Sequence, residues 1–251
     1  MSEEARTILL PIDLHGIDRS TLETLVRIAR QMNSSLLGLL LDDARLQRVA
    51  DLPFTTEITL GGGQERSLMP DQLIRRRSQV GAATRRLLHE LAERDRVAVS
   101  FQEAAGDRWH TALEWEGGSD IFFPCRQLWR PSGAGVSAAA IKRLGVLLSD
   151  TDRDHKLVGV AARLLAAGLV ADTYVLCARA PLPEQLHELY RPGHQVRIQA
   201  NVRVTPSTVT RLIHDSPYDL LLLGRDSLRG IPPGLLDASI DKSGSQVLVV
   251  N

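Results

Sequence analysis

The run Ile8-Leu9-Leu10-Pro11-Ile12-Asp13, five apolar or imino residues closed by an aspartate, returns near mid-chain as Val146-Leu147-Leu148-Ser149-Asp150. Uninterrupted apolar runs of this length read as parallel strands buried on both faces. The segments after the two runs also agree. Leu22, Leu25, Val26, Ala29 and Met32 recur at three- and four-residue steps after the first, and Leu157, Val160, Ala161 and Leu164 after the second. Both predict a helix with one apolar stripe. A second apolar strand comes next in each half, at residues 36–41 and at Tyr174-Val175-Leu176.

The correspondence runs on. Val97, Val99 and Phe101 alternate with polar residues, as do Val196, Ile198, Ala200, Val202 and Val204, which predicts third strands. Helix-start signals come after them at Gly106-Asp107 and at Thr205-Pro206-Ser207. Asp120-Ile121-Phe122-Phe123 then matches Asp219-Leu220-Leu221-Leu222-Leu223 as a fourth strand. Four elements agreeing in order, type and spacing point to an internal duplication. The expected layout is a first domain at 1–128, a linker helix at 129–142 and a second domain at 143–251. The first copy carries an insertion at about 44–94, with Gly61-Gly62-Gly63 as a plain turn, no strand before it, and a helix along Leu73, Val80, Leu87, Leu88 and Leu91. The second has only a short helix at residues 184–190 in that place.

Composition narrows the function. Lysine plus arginine equals aspartate plus glutamate at 30 each, so no net field draws in nucleic acid or an anionic membrane. The longest apolar tract, residues 157–177, is broken by Arg163 and Asp172, against a membrane span. Two cysteines, Cys125 and Cys177, supply neither a disulfide framework nor a zinc spacing. The chain opens on an acidic segment that runs straight into a strand, so a cytoplasmic protein without a signal peptide is expected.

With both repeats laid out, the chain resembles the universal stress protein family in its tandem form. The residues that carry this are the strand ending at Asp13, the helix at 20–32, and Asp219-Leu220-Leu221-Leu222-Leu223-Gly224-Arg225 with the closing strand Val247-Leu248-Val249-Val250. The resemblance implies doubly wound parallel α/β sheets of the adenine nucleotide alpha hydrolase-like type, the first copy lacking its closing strand. It also implies, for some members, ATP or AMP at the carboxyl ends of the strands. On this basis Asp150, Gly224, Arg225, Ser227, Ser239 and Asp13 are the candidate cofactor-binding residues.

The sequence departs from the nucleotide-binding pattern of Gly-x-x-Gly, nine residues, then Gly followed by Ser or Thr. Ser227 stands for the second glycine, Asp237-Ala238 replaces the Gly-Ser pair, and Ser239 comes one residue late. A carboxylate at the phosphate position repels the ligand. The first copy, with Cys125-Arg126-Gln127-Leu128 at its loop, departs further. Asp13 and Asp150 are read either as ligand groups or as caps of the following helix.

Rival readings are weaker. Gly133-Ala134-Gly135-Val136-Ser137-Ala138 imitates a dinucleotide fingerprint but does not directly follow its strand, which weakens an NAD-dependent oxidoreductase reading. No nucleophile motif or phosphate loop occurs, and no metal-ligand spacing. His15, beside Asp13, is the histidine best placed for chemistry, and Trp109, Trp115 and Trp129 read as packing between the copies. The expectation is a non-enzymatic regulatory or interaction protein with a degenerate nucleotide site and possible protein partners; the alternative is an adenine nucleotide sensor. The apolar closing strand, read as a sheet edge, predicts a homodimer through that strand.

Overall fold

The computed structural model describes residues 6–42, 48–49, 52, 55–58, 63, 65–67, 69–115, 118–125, 141–149, 154–179, 183–215, 217–241 and 243–251. The first half contains β1 (Thr7–Ile12), α1 (Arg19–Gln31), β2 (Ser35–Asp42), β3 (Thr56–Ile58), β4 (Glu65–Ser67), α2 (Pro70–Asp95), β5 (Val99–Ala105), α3 (Arg108–Leu113) and β6 (Asp120–Phe123). The second contains β7 (Ile141–Leu147), α4 (Asp154–Ala166), β8 (Val170–Leu176), α5 (Pro183–Leu186), β9 (Gln195–Gln199), α6 (Pro206–Asp215), β10 (Leu220–Gly224), α7 (Pro233–Asp241) and β11 (Gln246–Val250). Short 3-10 turns, His187–Leu189 and Arg225–Leu228, follow α5 and β10.

One nine-stranded sheet organises the molecule, in the order β5-β2-β1-β6-β11-β10-β7-β8-β9. Numbered within its own half, the first reads 3-2-1-4 and the second, from the opposite edge, 3-2-1-4-5. The strands of the halves lie side by side without interleaving. In this sheet every pairing within a half is parallel, and the seam between the halves is antiparallel: Val247, Leu248 and Val249 face Phe123, Phe122 and Ile121.

The sheet is buried on both faces, as its apolar runs require. Ile8, Leu10, Leu222 and Leu248 join α1, α2 and α4 in one core layer, while Leu9, Leu221, Val247 and Val249 join α3, α6 and α7 in the other. Each layer includes residues from both halves. Trp109 of α3 is fully buried and stacks on Phe123, with ring centroids 3.8 Å apart, in the layer that holds Leu236 and Ile240 of α7. The helix that carries it, α3, packs against α7 of the other half. Trp129 lies outside the described residues.

Caps mark the helix starts. Asp18, in extended conformation, accepts the Thr21 amide at 2.9 Å and opens α1; Asp107 accepts the His110 amide at 2.8 Å and opens α3. Thr205 accepts the Thr208 amide at 3.2 Å, ahead of Pro206 at the start of α6.

Several expectations are corrected. The closing strand β11 is not an edge: β10 takes one side and β6 the other, so a homodimer through this strand has no open edge to use. The reason is the place beside β6, which the second half's last strand fills. The insertion segment does not cover that edge either, since Thr56–Ile58 pairs with Glu65–Ser67 in a separate two-stranded sheet. A short strand thus does precede the triple glycine, of which Gly63 is described, at φ 62°. The strand β7 begins at Ile141, inside the segment expected as the end of the linker helix; residues 126–140 lie outside the described ones. The third strand of the second half ends at Gln199, because Asn201 turns left-handed at φ 68°.

Candidate functional site

Because the seam is antiparallel, the carboxyl ends of β1 and β6 open on one rim of the sheet, and those of β7 and β10 on the opposite rim. Helix N-termini and loop amides gather at such strand ends, where α/β proteins place ligands. The candidate residues accordingly fall into two groups. Asp13 stands apart from Gly224, Arg225 and Ser227.

On the first rim, Asp13 directly follows β1. Its carboxylate accepts the His15 amide at 2.9 Å and lies 3.2 Å from His15 Nδ1. Asp13 closes a local turn and does not cap α1, a task that falls to Asp18. A cleft here is lined by Asp13, His15, Gly16, Arg108, Pro124 and Cys125, and its enclosed space is about 10 Å3, room for one water. Arg108, only 6% exposed, is the cation that sequence reasoning passed over. Its Nη2 donates to the Pro124 carbonyl at 3.3 Å, and the guanidinium sits 5.4 Å from the centre of the Phe123 ring. Cys125 Sγ donates to the Ser243 carbonyl at 3.1 Å, tying this rim to the turn before β11.

On the opposite rim, β10 ends at Gly224 and the chain turns at once into the 3-10 segment. Ser227 is buried and its hydroxyl donates to the Gly224 carbonyl at 2.6 Å. Ser239, also buried, lies on α7 and donates to the Leu235 carbonyl of its own helix at 2.8 Å. Arg225 reaches the Asn251 side chain at 3.5 Å, and Asp226 pairs with Arg229 at 2.9 Å. Asp237 is on α7. Asp150 lies outside the described residues; the nearby Ser149 directs its amide and hydroxyl to Asp154 at 3.1 and 3.2 Å. The structure therefore brings Gly224, Arg225 and Ser227 together and turns Ser239 into its own helix.

The backbone at Gly224 has φ −74°, open to any residue, and an added Cβ would meet only Leu157 Cδ1 at 3.6 Å. Neither conformation nor packing demands glycine there.

Beside this rim lies a polar cluster built across the seam. Asp120, 3% exposed, accepts the Asn251 amide at 3.0 Å and pairs with Arg6 at 3.3 Å. Burial pushes the Asp120 carboxyl above the usual carboxylate range, against the opposing pull of the Asn251 amide, Arg6 and Lys156. Lys156 donates to the Asn251 carbonyl at 3.0 Å. Asp219, the counterpart of Asp120, accepts the Arg143 amide of β7 at 2.9 Å, so each carboxylate at the start of a fourth strand holds a backbone amide of an adjoining segment. No sequence signal distinguishes the buried role of Asp120 from that of Asp219. Among the described residues, no group of three His, Cys, Asp or Glu side chains is arranged to hold a metal ion, and no helix is long and apolar enough to cross a membrane.

No family model matches the sequence, and no curated protein matches it. Solved structures do match. A universal stress protein from Archaeoglobus fulgidus DSM 4304 aligns over 98% of this chain and 96% of its own, at a TM-score of 0.53 and 11% identity. A universal stress protein solved in complex with cAMP aligns over 45% of this chain and 98% of its own, at a TM-score of 0.31 and 19% identity. Across nearly its whole length, then, this chain has the mostly parallel α/β fold of a universal stress protein.

Proposed function

We propose that this chain is a tandem universal-stress-type protein that works as a regulatory or interaction module and performs no catalysis. Its repeated 3-2-1-4 strand order supports the tandem reading. One observation carries the functional one: both hydroxyls of the degenerate loop are committed to backbone carbonyls, Ser227 to Gly224 and Ser239 to Leu235, while the sequence has a carboxylate at position 237. A triphosphate needs donors that point at it. Here those donors close their own turn and helix, and the added charge repels.

The test is a titration with ATP and AMP followed by thermal unfolding. A ligand at a hundredfold its dissociation constant adds about 2.7 kcal/mol to stability. The expected outcome is no rise in Tm at millimolar nucleotide, and tighter binding in the Asp237→Gly variant than in the wild type. A clear wild-type rise with ATP would overturn the proposal in favour of an adenine nucleotide sensor. That second reading has Gly224 on its side, a glycine standing where neither backbone nor packing requires one and where a ligand could approach the backbone closely.

A further inference from the structure

The first half carries more helix than the fold asks for. Between β8 and β9 the second half has only α5 and a 3-10 turn and still builds the same strand order, whereas between β2 and β5 the first half places α2, 26 residues long. The buried residues of α2 are Gly81, Thr84, Leu88, Leu91 and Ala92, so residues 70–80 add no buried residue to the core. We infer that this part of the chain, residues 69–86, is a docking surface for an acidic, amphipathic segment of a protein partner. The inference rests on the reading of the chain as an interaction module and deepens it, while the loop after β10, on the opposite rim, takes no part.

Charge is the first observation that points to such a partner. Residues 72–89 hold five arginines and neither aspartate nor glutamate, in a chain whose charges otherwise balance. Arg77 and Arg85 are used within the molecule, Arg77 on Asp42 at 2.7 Å and Arg85 on Glu103 at 3.5 Å. Arg75, Arg76 and Arg86 are exposed and have no ion pair or hydrogen bond among the described residues. Arg75, Gln79, Ala82 and Arg86 follow at steps of four, three and four residues, which makes one stripe about 16 Å long with an arginine at each end. Ala82 and Ala83, both exposed, let a partner's backbone come close at the middle, while the guanidinium groups take carboxylates in the bidentate geometry that suits them.

Apolar exposure is the second. Seven large apolar side chains stand exposed among the described residues, and four of them, Val49, Leu52, Met69 and Ile74, belong to the insertion. Met69 and Ile74 are 52% and 50% exposed, next to the arginines in the chain. At 3.6 residues per turn Ile74 lies about 100° round the helix from Arg75, and farther from Arg76 and Arg86. A flat lipid surface cannot meet both faces at once, and a nucleic acid would meet the arginines and leave Ile74 in water. A segment that crosses α2 with carboxylates on one face and apolar side chains on the next meets both. Exposed ion pairs contribute little individually and are screened by salt, so the apolar contact supplies the remainder and the complex is salt-sensitive.

The experiment is fluorescence anisotropy of the full chain with a fluorescein-labelled peptide about five helical turns long, glutamates on one face and leucines on the adjoining one. Binding should weaken about tenfold or more in the combined variant Arg75→Glu, Arg76→Glu, Arg86→Glu. The combined variant Arg191→Glu, Arg203→Glu, Arg211→Glu, which changes the net charge equally at exposed positions of the second half, should bind as the wild type does. Ile74→Ser, and separately serine for leucine in the peptide, should each weaken binding as well. Circular dichroism of each variant confirms the fold, and since the substituted side chains are exposed, all are expected to keep it. A peptide that does not bind, a loss no greater in the first combined variant than in the second, or an Ile74→Ser variant that binds like the wild type would overturn the inference. So would tighter binding, through the same arginines, of a DNA duplex or of phosphatidylserine vesicles. The nucleotide titration reads the opposite rim, so the interaction reading and this docking surface can fail separately.

Discussion

Two aspartates show how burial and hydrogen bonding set a carboxylate's effect on stability. At Asp18 burial alone would raise the pKa, but bonds from the Ser20 and Thr21 hydroxyls and backbone outweigh it and hold the group below its ordinary value. Its stabilisation is therefore present above the unfolded carboxylate value of about 3.9 and is lost as pH falls through the lower folded value. Asp18→Ala removes the cap of α1 and should cost about 1 kcal/mol in urea unfolding at pH 7. Asp120 has the opposite sign. Burial raises its pKa, so its contribution is full below the unfolded value and is lost as pH rises through the raised folded one. Asn at position 120 can still accept the Asn251 amide while carrying no charge. The stability of Asp120→Asn minus that of wild type should thus grow as pH rises from 4 to 7 in a urea series, and a difference that stays flat or shrinks would refute the assignment.

At the scale of the element, β11 separates what an apolar pattern reveals from what it hides. Val247, Leu248 and Val249 are all 1% exposed or less and hydrogen-bonded on both flanks. Leu248→Ala should cost about 2–5 kcal/mol, and Val249→Lys, which places an ammonium in that core, should abolish the fold, as circular dichroism would show. Had β11 been an open edge, the lysine would instead have produced folded monomers. Strand character was legible because four apolar residues in a row have only a few structural uses. Neighbour identity was not, because such a run looks the same whether its partner is a second chain or the same one. Other misses have equally local causes. Thr56–Ile58 is too short for alternation to register, and the alternation from Val196 to Val204 does not reveal that Asn201 leaves the strand. At the candidate site, Gly224, Arg225 and Ser227 could be read from the resemblance to the family's loop, whereas the buried role of Asp120 depends on a partner, Asn251, that only the packed halves bring to it.

At the scale of the whole molecule, the seam is the contact on which the single sheet depends, and it is short: three residues of β11 facing three of β6. An antiparallel junction between two parallel halves closes both inner edges within one chain. The outer strands β5 and β9 carry Glu103 and Arg197, charges of the kind that discourage edge pairing. This predicts opposite behaviour for the intact chain and for its second half alone. A fragment of residues 141–251 keeps β7, β8, β9, β10 and β11 in order but leaves the β6-facing flank of β11 bare, with Val247 and Val249 of one core layer and Leu248 of the other partly uncovered. Such an edge pairs with its own copy about a two-fold axis. Sedimentation of the fragment at tens of micromolar should give twice its mass, and adding a fragment of residues 1–125 should convert that dimer into a one-to-one complex, because β6 offers the register and the Phe122 and Phe123 side chains that β11 meets in the intact sheet. A folded fragment that remains monomeric, or a dimer that the first half does not displace, would show that the seam draws its stability from elsewhere than the flank of β11.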